Sequence, residues 1–200
     1  MHYASVSFTH KNTDISVREK LSFSNIERKN EILRLISSSQ NINECMVLST
    51  CNRVEIIASV KTVEGASKHI IACMSLICGI PFEELQSRAD IYEDNGAVHH
   101  LFAVASSLDS LVIGETQIAG QLKEAYKFAR ANGKCGAKLG RAMEFAFKCA
   151  AEVRNKTEIS KNPISVSSVA VAKAKEIFGT LNGMVAVIVG AGEMAELAAK

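Results

Sequence analysis

The sequence predicts an α+β fold with a small, mostly antiparallel sheet and packed helices, followed by a helical linker and the first strand, turn and helix of a second, truncated unit. Three observations carry this prediction. Short runs of strand character come early, and helical pattern fills the middle. A polar segment holding Pro163 then separates both from an apolar run close to Lys200. The expected divisions are 1–157 for the first domain, 158–180 for the linker and its helix, and 181–200 for the start of the second domain.

Each element follows from local pattern. Tyr3 to Phe8 alternates in strand fashion, and Ile26 to Ser37 has helical spacing. Cys45 to Leu48 and Val54 to Val60 read as two strands around the short segment Ser49-Thr50-Cys51-Asn52-Arg53. Gly65 to Cys78 is expected as a helix, with Gly79 and Pro81 as its stop signal. From Asn95 to Thr157 helical pattern dominates. Ile118, Leu122, Ala125 and Ala129 make one apolar face, and Phe145, Cys149 and Val153 make another stripe. Arg154 to Pro163 reads as a linker, and Ser165 as the N-cap of a helix reaching Phe178. Leu181-Asn182-Gly183 then turns into the apolar strand Met184 to Val189.

Composition bounds the function. Of 200 residues, 48% are hydrophobic and 22% charged, which excludes a disordered chain. A net charge of +2 is too small to imply a nucleic-acid or membrane partner, so any RNA must meet local patches. No apolar run reaches membrane-spanning length, and the N-terminus lacks a basic segment before an apolar core. The expectation is a cytoplasmic protein with no membrane partner. Six cysteines (45, 51, 73, 78, 135 and 149) form no CxxC pair and have no histidines at zinc spacing, so no metal site is expected. They read as reduced thiols, five of them simply filling space.

Four segments carry chemistry. The apolar strand runs into Gly190-Ala191-Gly192-Glu193-Met194-Ala195, a GxGxxA turn at the start of a helix. Such glycines let the backbone approach a pyrophosphate, which marks a Rossmann-type dinucleotide site; the bland alternative is a structural tight turn. The residue that reads the ribose would lie about 20 positions further on, past Lys200, so NAD and NADP are indistinguishable. In Ser49-Thr50-Cys51-Asn52-Arg53, Cys51 and Arg53 stand two apart and could share a face of extended chain. A guanidinium there would favour the thiolate and suit a carboxylate, although on spacing alone the bland reading of a structural cysteine wins. His99 and His100 open a helical run, and either could face a cleft or solvent. Asp109 to Gln117 reads as a helix–loop–helix junction rich in capping residues.

Taken together, these pieces resemble one family, glutamyl-tRNA reductase. The matching strings are STCNRVEI, HLFAVASSLDSLVIGETQIAGQLKEAY, ISVSSVAVAKAKEIFG and VIVGAGEMAELAAK, spanning roughly residues 45 to 200. The resemblance implies Cys51 as nucleophile and His100 as a histidine important for activity. It places substrate contacts on Thr50, Asn52, Arg53, Ser110, Glu115, Thr116, Gln117 and Gln121, and the nucleotide turn on Gly190 to Ala195. Two departures stand out: the family usually has Pro where Thr116 stands and Gly where Ser107 stands. The second removes a conformationally permissive residue beside the site.

The implied reaction is the NADPH-dependent conversion of charged tRNA(Glu) to glutamate-1-semialdehyde through a Cys51 thioester, the first committed step of tetrapyrrole synthesis. Arg53 would anchor the glutamate carboxylate, and His100 would assist proton traffic. A homodimer of the full-length protein and a downstream aminomutase are implied partners. The alternative from another class is a tRNA- or partner-binding module without turnover; a plain nucleotide-binding dehydrogenase would leave Cys51 irrelevant. Met184 to Val189, with no later strand to cover it, is expected to be left without its sheet.

Overall fold

The structure is a computed structural model and describes residues 1–160, 166–190 and 199. Its centre is a four-stranded antiparallel sheet made from β1 (His2–Thr9), β2 (Ile42–Ser49), β3 (Arg53–Val60) and β4 (Asp90–Glu93), in the order β2-β3-β1-β4. The expected early strands are all present. β2 and β3 form a hairpin, and β1 runs antiparallel to β3 with Ser7 opposite Glu55 and Thr9 opposite Arg53.

All eight residues of β3 are buried. An inner strand of an open sheet has that character only when helices cover both faces. Between β1 and β2 lie α1 (Ile15–Leu21) and α2 (Ile26–Ile36), and after β3 come α3 (Ala66–Cys78) and α4 (Phe82–Arg88). The remaining helices are α5 (Asn95–Ala105), α6 (Gln117–Ala131), α7 (Ala137–Lys156) and α8 (Val166–Phe178). Asn25 caps α2 by accepting from Glu27 N–H at 2.7 Å, and α3 ends on Gly79 in the left-handed conformation, as its stop signal predicts. The outer edge of β2 is closed by the α6–α7 connection, where Cys45 N–H donates to Lys134 O at 2.9 Å. Glu44 on the same strand accepts from the first-turn amides of α7, Lys138 at 3.1 Å and Leu139 at 2.7 Å.

Three expectations are corrected. Arg154 to Lys156 belong to α7 rather than to a linker. The buried face of that helix is Leu139, Ala142, Met143, Ala146 and Ala150, whereas Phe145 is exposed and Cys149 and Val153 are half-buried. Alanines allow close approach of α7 to α5, and Phe145 is instead flanked by Arg141 and Lys148, whose cationic groups lie 5.8 and 5.4 Å from its ring centroid. Met184 to Val189 forms no strand: Val185, Val187 and Val189 are 90%, 83% and 96% exposed, while Met184 and Ile188 line a groove against α8. A strand exists only through a neighbour, and none stands beside it among the described residues. The proposed cap Ser165 lies outside the described residues.

Gly114 lies in the α5–α6 loop with φ +86°, and a Cβ added there would stand 2.2 Å from Ile159 O. Both the left-handed backbone and the contact exclude larger residues. Gly114→Ala should therefore cost roughly 1–3 kcal/mol in urea unfolding; an unchanged midpoint would show that the 158–160 turn moves away freely.

Candidate active site

Cys51 sits in the middle of the three-residue turn between β2 and β3, and it is exposed. The turn is strapped by Thr50, whose hydroxyl accepts from Asn52 N–H and Arg53 N–H, both at 3.2 Å, while Thr50 N–H donates to Arg53 O at 2.8 Å. A hydroxyl so used makes the short loop compatible with a side chain that faces outward. His10 N–H also donates to Asn52 O at 3.1 Å, tying the turn to the end of β1.

Opposite the turn is a narrow cleft. One wall carries Thr50, Cys51, Asn52 and Arg53, and the other carries Ser110, Glu115, Gln117 and Gln121. The structure thus brings together eight of the sequence-selected residues. The two exceptions outside the nucleotide turn are Thr116, exposed at the N-cap of α6, and His100. Ser110 Oγ is buried without a hydrogen-bond partner, a donor on the cleft wall that a ligand could satisfy.

Arg53 does not stand beside Cys51 on extended chain, because the turn intervenes. Its guanidinium is only 3% exposed and faces inward. Nη1 lies 3.4 Å from Glu55 Oε2, and Nη2 lies 2.9 Å from Asp109 Oδ2 and also donates to Asp109 O. Asp109 in turn takes Lys11 Nζ at 2.5 Å. The guanidinium that reaches the Cys51 main chain belongs to Arg18 of α1, with Nε 3.5 Å from Cys51 O.

Beneath Arg53, Glu55 is fully buried. It accepts from Ser5 Oγ at 2.7 Å and from Ser7 Oγ at 3.5 Å. His100 Nε2 stands 3.0 Å from Glu55 Oε1, but off the line of a well-formed hydrogen bond. The His100 ring stacks on Tyr92, centroids 4.0 Å apart and planes within 9°. His100 is therefore linked to the cleft through Glu55 and Arg53 rather than lining it. Burial acts to raise the Glu55 carboxyl, yet His100, Arg53 and Ser5 together hold it below the ordinary value. Asp109 is treated alike: burial raises it, and Lys11 and Arg53 outweigh that. His10, on the cleft, is lowered by burial and by the cations Lys11, Arg18 and Arg53, against an opposing pull from Asp109.

Sequence reasoning missed Glu55, His10 and Arg18. Glu55 carried a signal: a carboxylate amid Val54, Ile56 and Ala58 in an inner strand demands a partner, and Arg53 lies two residues away on the same face. Nothing marked Arg18, which α1 brings in from a distant part of the chain.

Ser107 has φ +60°, the left-handed region, on the loop that carries Asp109 and Ser110. Its hydroxyl donates to Glu115 O at 2.5 Å, and its carbonyl accepts from Gly114 N–H at 3.0 Å, closing the loop on itself. Of the nucleotide turn only Gly190 is described; Ala191 to Ala195 lie outside the described residues. Gly190 has φ +128° and open space where a Cβ would be, a backbone conformation that favours glycine.

Fold and site together define an antiparallel α+β domain that presents one exposed thiol on a strapped hairpin turn, above a buried Arg–Glu–His network. The chain belongs to the family described as glutamyl-tRNAGlu reductase, N-terminal domain, whose sequence profile matches residues 6–157. It is 68% identical over its whole length to the glutamyl-tRNA reductase of Campylobacter concisus (strain 13826) and 67% identical to that of Campylobacter fetus subsp. fetus (strain 82-40). The chain spans 47% of each, about half the length of these curated relatives. Among solved structures, the glutamyl-tRNA reductase from Methanopyrus kandleri superposes with a TM-score of 0.67 at 29% identity, covering 98% of this chain and 45% of that one. Among the described residues no helix is long and apolar enough to cross a membrane, and no group of three potential metal ligands occurs.

Proposed function

We propose that this chain is the substrate-binding, thioester-forming part of an NADPH-dependent glutamyl-tRNA reductase of tetrapyrrole synthesis, with residues 1–157 as its catalytic domain, 158–180 as a linker and 181–200 as the start of a Rossmann-type domain. The observation that supports it best is an exposed Cys51 facing Ser110, Glu115, Gln117 and Gln121 across one cleft, in a chain of this family.

The Cys51 thiolate attacks the ester carbonyl joining glutamate to tRNA(Glu). An S–C bond forms, the C–O bond breaks, and the ribose oxygen leaves as its hydroxyl by taking a proton from solvent water. The orphan Ser110 hydroxyl and the polar side chains of Glu115, Gln117 and Gln121 orient the acyl group, with Thr50 and Asn52 holding the turn. His100 acts as a positioning residue: it buttresses Glu55 and through it Arg53, and it does not line the cleft. NADPH, when bound, supplies the hydride for the thioester; Gly190 to Ala195 would hold its pyrophosphate. A homodimer of the full-length protein and delivery of the aldehyde to an aminomutase belong to the same reading.

Incubation with glutamyl-tRNA, acid quenching and peptide mass spectrometry should find a glutamyl adduct on the peptide bearing Cys51. Release of tRNA only at the rate of spontaneous hydrolysis, with no adduct, would refute the proposal. Arg53 is proposed to read the glutamate carboxylate in exchange for Asp109. Arg53→Lys keeps the charge but loses the planar fork, so the preference for glutamyl- over glutaminyl-tRNA should fall by about tenfold or more. An undiminished preference in competition would move specificity to another residue.

A further inference from the structure

The cleft at Cys51 opens into a second concavity. Gln121 lines both, and beyond it runs a groove of roughly 280 Å³ between β2, α2 and α6, bounded by Val47, Ser49, Lys29 and Phe128. The buried Arg53 closes the floor of the Cys51 cleft. Seven residues of helix carry the wall from Gln121 to Phe128, about 10 Å at the helical rise per residue. That is the reach of one nucleoside with its phosphate.

The lining suits such a group. Phe128 is half-buried, and the Lys29 ammonium lies over its ring, 5.7 Å from the centroid, so this flexible side chain must swing off that face for a base to stack there. An aromatic face beside a cation is how proteins hold an unpaired base together with its phosphate. Val47 and Leu48, both buried, form the floor beneath it. Glu124, the acid on this groove, is paired with Lys127 at 2.8 Å, which tempers its repulsion of an anion.

We propose that this groove seats the 3′-terminal adenosine of the aminoacyl-tRNA, its base stacked on Phe128 and its phosphate met by Lys29. The inference rests on the reading of Cys51 as the acyl acceptor, because the ester fixes the terminal ribose within bonding distance of that thiol. It explains how a chain of nearly neutral charge engages an RNA: the contact is one nucleotide deep and local.

The probe is a fluorescently labelled CCA trinucleotide, with binding to the 200-residue chain followed by anisotropy. Phe128→Ala should weaken binding about tenfold or more, the size of one lost base–aromatic stack, and Phe128→Tyr should retain it. Lys29→Gln, which changes a half-buried side chain at the rim, should weaken binding several-fold and flatten its salt dependence. Undiminished affinity in both Phe128→Ala and Lys29→Gln would overturn the proposal, as would equal losses in Phe128→Ala and Phe128→Tyr. Should Phe128→Ala fail to fold, Lys29→Gln decides alone. Acyl transfer to Cys51 without CCA binding removes the subsite and leaves the thioester reading. CCA binding that depends on Phe128, in a protein that takes no glutamyl group, removes the thioester reading and leaves the subsite.

Discussion

Cys51→Ser is expected to reduce enzyme-dependent release of tRNA from glutamyl-tRNA on the order of 10³-fold or more, because a hydroxyl without an adjacent base is a far weaker nucleophile than a thiolate. The other five cysteines set the contrast. Cys45, Cys73 and Cys135 are buried, and Cys78 and Cys149 are half-buried. Alanine at each should leave tRNA release intact and lower stability by about 1 kcal/mol through lost packing. Release measured by acid precipitation of the charged tRNA, beside urea unfolding of each variant, separates the two effects. Full activity of the Cys51→Ser protein would end the nucleophile assignment.

Glu55→Gln is expected to have the largest effect on stability. The side chain keeps its shape, but the buried Arg53 loses one of its two carboxylate partners and His100 loses its neighbouring charge. Breaking a buried pair by removing one partner typically costs about 3–5 kcal/mol. The pH dependence has a definite sign. Glu55 is depressed in the folded chain, so its contribution is fully present above its ordinary carboxyl value and is lost as pH falls through the lower folded value. The wild-type protein should therefore lose stability on acidification more steeply than Glu55→Gln, most clearly below about pH 4. Parallel urea midpoints for the two proteins across that range would show that Asp109 alone carries the acid limb.

The hairpin and its turn were legible because Cys45 to Leu48 and Val54 to Val60 are short apolar strands on either side of a polar segment. The helix stops were legible for a similar reason, since Gly79 and Pro81 act within a few residues of what they end. The seven-residue α1 and α4 and the four-residue β4 were not, because elements so short complete too few periods to show a face. Phe145 misled because hydrophobicity was weighed without size: the buried stripe of α7 is mostly alanine. The cleft residues were named from resemblance, and the structure gathers most of them. Their wiring was hidden, since the partners of Arg53, Glu55 and Asp109 are separated by up to 98 residues of chain and meet only through the order β2-β3-β1-β4.

The way the fold distributes its thiols also governs how the protein meets electrophiles and oxidants. Burial pushes Cys73 up to about 11 and Cys135 up to about 12, in both cases helped by Cys45, and it raises Cys45 and Cys78 as well. Groups that stay protonated and enclosed react slowly with alkylating agents or peroxide. The hairpin turn, by contrast, holds Cys51 in open solvent. A substoichiometric maleimide dye would thus mark this position first, giving a site-selective optical handle on the cleft without engineering the other cysteines. The same accessibility makes Cys51 the first of the six thiols to form a sulfenic acid, a lesion that thiol reductants reverse.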